Sequence, residues 1–324
     1  MKKLSLRKKS QKISHFPIVS ANEKVQCKEV EYFSSSEIIL NANKQQKLFF
    51  MVNDQKIKLK NTCPFDALIE VLISANKNYD FMRSFIDKNT SNDLLQLVQL
   101  VSENLISKEQ FYERRAEILY PMGELKGDTL DCADNPVNLA EELFKGLDLL
   151  KSEKYCNSCN FKKKAKPYST LRLEFHVIQE YIVNNSLLGM KNLRDCLIEV
   201  FSETAIGKFC PVCKMELNRK LTVKDLLIIE TEDIFRAAIE EMEVCLNSEA
   251  PCFIEFDDMQ FQLVGAVQRK SFHYVGYCYV NGIWEVKDDM QKNIVKVRHS
   301  PNSFPDKINT AALFYCQLPQ YQNN

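Results

Sequence analysis

The chain has 324 residues, 45% of them hydrophobic and 27% charged, with 43 Lys and Arg balanced by 43 Asp and Glu. That content suits one large domain with an insertion, or two domains sharing a core, and a net charge of zero gives no global field toward nucleic acid or anionic lipid. No apolar run is long enough to cross a bilayer and the N-terminus lacks the apolar centre of a signal peptide, so an intracellular protein of cytoplasm or nucleus is expected.

Residues 1–25 carry a run of Lys and Arg with little apolar pattern and read as a disordered basic arm. Val30-Glu31-Tyr32-Phe33 and Lys47-Leu48-Phe49-Phe50-Met51-Val52 have strand composition, with a turn at Asn53-Asp54. Ile57-Lys58-Leu59-Lys60 then alternates apolar and basic residues as a short extended segment. It feeds Asn61-Thr62-Cys63-Pro64, after which Phe65, Leu68, Ile69, Leu72 and Ile73 recur at the spacing of one helical face. Pro64 is tolerated where a helix begins, so Cys63 is expected at the mouth of a buried helix. There, unpaired backbone N–H groups and the positive end of the dipole favour thiolate over thiol, as a nucleophilic cysteine needs.

Residues from about Asp80 to Leu150 read as mostly helical. Leu94, Leu95, Val98, Val101, Leu105 and Ile106 form one apolar stripe, and Leu139, Leu143, Leu147 and Leu150 form a second beyond Asp134-Asn135-Pro136. Neither an internal repeat nor a glycine-rich phosphate loop is present.

Twelve cysteines in a large chain point to metal and catalysis rather than to a disulfide framework. Cys156 and Cys159 form one Cys-x-x-Cys pair and Cys210 and Cys213 another, each the pattern of one knuckle of a tetrahedral thiolate zinc site. Four thiolates leave zinc no open position, so the expected cofactor is a structural zinc. The long gap between the knuckles contains a helix-like segment around Leu193, Leu197, Ile198 and Phe201. Lys162-Lys163-Lys164-Ala165-Lys166 could touch phosphate or an acidic protein but reads first as a solvated loop, and Leu221-Thr222-Val223 and Leu226-Leu227-Ile228-Ile229 as returning strands.

Toward the C-terminus, strand patterns cover Cys252 to Phe256 and Phe261 to Val267. Phe272 to Val280 runs into Asn281-Gly282, a hairpin signal, and the next strand, Ile283-Trp284-Glu285-Val286, ends in Lys287-Asp288-Asp289. His273 and the two aspartates then face each other across the hairpin, where a carboxylate can orient the imidazole and leave its other nitrogen for Cys63.

This order of Asn61-Thr62-Cys63, paired Cys-x-x-Cys, His273-Tyr274-Val275-Gly276-Tyr277, Trp284 with Asp288-Asp289, and Ala312-Leu313-Phe314-Tyr315 resembles the ubiquitin-specific protease family, the ubiquitin carboxyl-terminal hydrolases, over most of the chain. The resemblance implies an α+β, papain-like fold with thumb, palm and zinc-bearing fingers, occupying 26–319 with the fingers at about 151–225 and a tail at 320–324. It implies hydrolysis after the C-terminal glycine of ubiquitin. Cys63 matches the family nucleophile, His273 the base, Asp288 the residue orienting that base and Asp289 a second acid beside it, with Asn61 in the motif before the nucleophile. The chain departs from the pattern at Lys58, where asparagine usually supplies an oxyanion donor, at Lys60, at Pro64-Phe65-Asp66, and at Phe272, where glycine usually precedes the histidine. A slow cysteine-type deubiquitinase, monomeric and acting on proteins modified by ubiquitin or a ubiquitin-like modifier, is the leading expectation. A catalytically weak or inactive modifier-binding module is the alternative. A zinc-ribbon nucleic-acid adaptor is the third, disfavoured by neutral charge.

Overall fold

A computed structural model describes residues 31–33, 37–39, 49–172, 204–230, 252–256, 259–291, 293–298 and 309–319. The basic arm at 1–25, the helix-like segment from Leu193 to Phe201 and the 320–324 tail lie outside them. All described residues belong to one unit, Glu31–Asn324.

The chain enters through β1 (Phe50–Val52) and β2 (Gln55–Lys60), an antiparallel pair whose turn places Asn53 and Asp54 at φ 50 and 62, a region these two residue types tolerate. Helix α1 (Cys63–Asn78) follows, and nearly all of it is buried. Packed around it are α2 (Asp80–Lys88), α3 (Asp93–Ser102), α4 (Lys108–Leu119) and α5 (Pro136–Leu143). The predicted stripe through Leu105 and Ile106 stops short, because Asn104 turns left-handed at φ 56 and leaves Leu105 exposed. The second stripe also breaks: Gly146 and Asp148 adopt positive φ after α5, and Leu150 begins a strand. Between α4 and α5 the expected helical run is interrupted by β3 (Glu124–Lys126) and β4 (Thr129–Asp131), which join β1 and β2 in a four-stranded sheet. Glu31 to Phe33 form no strand.

A second four-stranded sheet carries the cysteine pairs. It is built from β5 (Leu150–Tyr155), β6 (Lys162–Tyr168), β8 (Thr204–Phe209) and β9 (Glu216–Val223) in the order β6-β5-β9-β8. The lysine run expected as a loop is therefore strand β6: a tight turn brings the chain back onto β5, pairing Tyr155 with Lys162 and Leu150 with Tyr168.

The third sheet has eight strands. Its path β15-β14-β13-β12-β16-β10-β7 takes in β7 (Leu171–Arg172), β10 (Leu226–Glu230), β12 (Met259–Lys270), β13 (His273–Val280), β14 (Ile283–Lys287), β15 (Val295–Arg298) and β16 (Asn309–Gln317), with β11 (Phe253–Phe256) on β12. Helix α1 lies across β12 and β13 at close range. A Cβ on Gly265 would stand 2.5 Å from Val71 Cγ1, and one on Gly276 would stand 3.0 Å from the Ala67 carbonyl oxygen. Helices gathered around α1, an eight-stranded sheet packed against that helix and a separate cysteine-bearing sheet make an α+β architecture.

Candidate active site and four-cysteine cluster

The first helical turn of α1 is fixed from below. Asn61 sits at φ 58 and its side-chain amide donates to Asp131 Oδ1 at 2.9 Å, which ties the entry of the helix to β4. The Thr62 hydroxyl donates to Asp66 Oδ2, and the Asp66 Oδ1 atom accepts from Arg115 Nη1 at 2.8 Å, with both charged side chains fully buried. Burial pushes the Asp66 carboxyl up to about 7, while Arg115 pulls it down and the nearby Asp289 adds to the rise. Cys63 stands over this cluster at the helix start, itself buried.

His273 opens β13, and the hairpin through Asn281-Gly282 returns β14 so that Gly276 pairs with Lys287. The next two residues reach the histidine: His273 Nε2 is 2.9 Å from Asp288 Oδ1 and 3.1 Å from Asp289 Oδ1. Asp288 is held in turn by Met290 N at 3.0 Å and by Gln291 Nε2 at 3.1 Å. With Nε2 facing both carboxylates, Nδ1 is the ring nitrogen left for Cys63, whose side chain lies near enough to His273 to favour the charged ring. Burial works against a charge on the ring, but the bonds to Asp288 and Asp289 and the nearness of Cys63 outweigh it and raise the His273 pKa to about 11. Asp288 is lowered: burial opposes its charge, and the hydrogen bonds from His273 and Met290 N overcome that. Cys63, His273, Asp288 and Asp289 thus converge from 63 to 289 in the sequence, while Asn61 turns to Asp131.

Lys58 is half-buried on the face of β2 opposite Ile57 and Leu59, and its own backbone N–H is committed to the Asp128 carbonyl at 2.7 Å. Phe272 is 96% exposed immediately before His273.

The pattern reading did not find Asp66, Arg115, Glu70 or Lys287 as supports of this site. The signal was present for two of them, since Cys63, Asp66 and Glu70 lie three and four residues apart on an otherwise apolar helix, where a carboxylate needs a buried partner. Nothing local marks Arg115 or Lys287 as that partner.

The four cysteines also converge. Cys156 Sγ is 3.4 Å from Cys213 Sγ, Cys159 Sγ is 3.4 Å from Cys210 Sγ, and all four sulfurs lie within 4.8 Å of one another. A tetrahedron of thiolates at about 2.3 Å from zinc has edges of roughly 3.8 Å, so this donor set fits the metal. The two knuckles are built alike. Cys156 N donates to the Phe161 carbonyl at 2.8 Å and Cys210 N to that of Met215 at 2.7 Å, and Asn160 and Lys214 supply the left-handed residue of each turn. Backbone N–H groups of Ser158 and Cys159 point to the Cys156 sulfur, and those of Val212 and Cys213 to the Cys210 sulfur, as a bound metal–thiolate requires.

No protein-family model matches the chain. Among curated proteins it is similar to the 120.7 kDa protein in NOF-FB transposable element of Drosophila melanogaster, 24% identical over 258 residues that cover 74% of this chain and 23% of that protein. The chain therefore spans less than a quarter of the length of the curated relative it matches. Among solved structures, it is similar to the SAGA DUB module bound to monoubiquitin (14% identity, 84% of this chain and 69% of that one, TM-score 0.44). The Saccharomyces cerevisiae PAN2 pseudoubiquitin-hydrolase matches at 12% identity over 82% of this chain and 88% of that one, TM-score 0.45. The papain like protease of MERS Coronavirus matches at 11% identity over 87% and 72%, TM-score 0.40. No helix among the described residues is long and apolar enough to cross a membrane.

Proposed function

We propose that the chain is a cysteine-type hydrolase that cleaves the isopeptide or peptide bond after the C-terminal glycine of ubiquitin or a ubiquitin-like modifier. The observation that carries this reading is the placement of His273 between Cys63 and the pair Asp288 and Asp289. In this reading Cys63 Sγ attacks the glycine carbonyl carbon as the thiolate, forming a C–S bond, and the electron pair moves to the carbonyl oxygen. As the tetrahedral intermediate collapses, the C–N bond breaks and the His273 imidazolium gives its proton to the leaving amine. The neutral imidazole then takes a proton from the water that hydrolyses the thioester, and Cys63 departs as thiolate. Asp288 orients the ring through Nε2, and Asp289 supports its charge.

Cys156, Cys159, Cys210 and Cys213 would hold one structural zinc, which cross-links two hairpins where apolar core is scarce. The cysteines among the described residues are all free thiols, which agrees with a reducing, intracellular setting. Lys58, standing where asparagine would donate to the oxyanion, favours a second reading as a weakly active modifier-binding module.

Reaction with a ubiquitin bearing a thiol-reactive electrophile at its C-terminus tests the proposal. Covalent capture that Cys63→Ala abolishes is expected. Reversible binding without capture would move the conclusion to the binding module, and no interaction with ubiquitin or its relatives would end both readings.

A further inference from the structure

The zero net charge of the chain conceals a strongly basic element. Residues 150–168 and 204–224, which form the cysteine-bearing sheet and its knuckles, hold eleven Lys and Arg against two Glu. Strand pairing sets some of these cations directly beside one another. Lys154 on β5 pairs with Lys163 on β6 and with Arg219 on β9, a row of three like charges across three adjacent strands. Neighbouring strands stand only about 4.8 Å apart, so the row concentrates positive charge on a small patch. Among the described residues Lys163, Lys166 and Arg219 have no ion pair, and the buried Arg219 Nε has no hydrogen-bond partner.

The same register identifies what shares the face of that row. Leu150 and Ser152 alternate with Lys154 to one side of β5, and their β6 partners are Tyr168 and Lys166. Tyr168, Lys166, Lys163, Lys154 and Arg219 therefore share one face, with a β-bulge opposite Glu153 carrying the register from Lys166 to Lys163, and the inner end of that face is covered at Leu150, Leu221 and Val223. The first three lie on β6, an edge strand of this sheet, and all three are exposed. Cations that track a phosphate backbone, in line with an exposed aromatic ring on which a base stacks, form the recognition chemistry of single-stranded nucleic acid. An acidic protein would satisfy the cations but leaves the aromatic ring unexplained.

We propose that this face of the cysteine-bearing sheet binds single-stranded nucleic acid, independently of the hydrolase site. The probes are fluorescently labelled single-stranded RNA and DNA of mixed sequence, about 20 nucleotides long, titrated with the full-length protein by anisotropy at several salt concentrations. The wild type is expected to bind at least one of them, with affinity falling as salt rises. Replacing Lys154, Lys163 and Arg219 together by Ser should weaken binding about tenfold or more and flatten the plot of log affinity against log salt by about 2, at roughly 0.7 per lost phosphate contact. Tyr168→Ala should weaken binding about fivefold or more with little change in that slope. Lys154→Arg with Lys163→Arg should keep the affinity, which separates lost charge from a misfolded sheet. Replacing Arg83, Lys126 and Lys145 by Ser makes the same charge change on other exposed positions and should leave binding intact. The proposal is overturned if the wild type binds neither oligonucleotide at low salt, if the two triple variants lose affinity equally, or if polyglutamate displaces the oligonucleotide at equal charge concentration.

Discussion

Lys287 Nζ donates to Glu70 Oε2 at 2.8 Å, joining two side chains that are both almost fully buried and 217 positions apart in the chain. Glu70 stands two turns beyond Cys63 on α1, and Lys287 immediately precedes Asp288. The pair therefore fastens the helix that begins with the proposed nucleophile to the strand end that carries both acids. The other oxygen of Glu70 accepts from Ile39 N at 2.7 Å, so both carboxylate oxygens are engaged. Burial opposes the Lys287 charge, but Glu70 more than offsets it and the ammonium pKa is raised.

Removing one member of this pair strands the other charge in the interior. Glu70→Gln or Lys287→Met should cost about 3–5 kcal/mol of stability, and joint replacement by apolar residues of similar volume should recover much of it. Chemical denaturation of the single and double variants measures this, and single variants within about 0.5 kcal/mol of wild type would contradict a buried, unscreened pair.

The His273 charge gives a pH prediction. Its folded pKa of about 11 lies above the ordinary value of 6.5, so the stability it contributes is complete below pH 6.5 and is lost as pH rises toward 11. Asp288→Asn removes the hydrogen bond that raises the ring most, so the variant should lose less stability over that window than the wild type. It should also slow alkylation of Cys63 by iodoacetamide near pH 7, because the imidazolium that steadies the thiolate is weakened. Identical pH profiles of melting temperature in the two proteins would detach Asp288 from the histidine.

Metal removal should act locally first. Elemental analysis should find one zinc per chain, and Cys213→Ser should lower that content sharply. A zinc held by the four cysteines would stand in for apolar packing between two hairpins, so chelation should expose residues 150–168 and 204–224 to protease before the helices around α1. Simultaneous cleavage of both regions would mean that the cluster supports the whole fold.

The place of Lys58 in the proposed chemistry can be tested by rate. An oxyanion donor acts mainly in the transition state, and restoring one with Lys58→Asn should raise kcat by up to about a hundredfold with little change in KM. A fall in kcat for Lys58→Asn, deepened in Lys58→Ala, would show instead that the ammonium already serves the oxyanion.

Much of this arrangement is legible in the amino-acid order because its signals are local. Pro64 and the apolar spacing mark the start of α1, Asn281-Gly282 marks the hairpin that returns Asp288 to His273, and each Cys-x-x-Cys folds its own knuckle. What periodicity misread turned on single left-handed residues, as where Asn104 ends α3 before Leu105. The strand at Lys162 to Tyr168 was hidden because four lysines in five residues suit water, and only pairing with β5 makes them a sheet edge. The partnerships of Asp66 with Arg115 and of Glu70 with Lys287 were illegible for a different reason. Each spans dozens to hundreds of positions, and a single sequence carries no record of such distances.

Gly265 and Gly276 bring the backbone of the large sheet against α1 so closely that a single added carbon at either position meets Val71 or the carbonyl of Ala67. The gap between the Cys63 helix and the His273 strand is thus set at Gly276 by main chain against main chain, which is stiff, and at Gly265 by sheet backbone against the Val71 side chain. Conservative changes among the other core residues should therefore drain stability while leaving the spacing of sulfur and imidazole as it was. The molecule can accumulate such changes until it melts, with its chemistry intact up to that point, whereas one methyl group at Gly276 would widen the site in a protein that still folds.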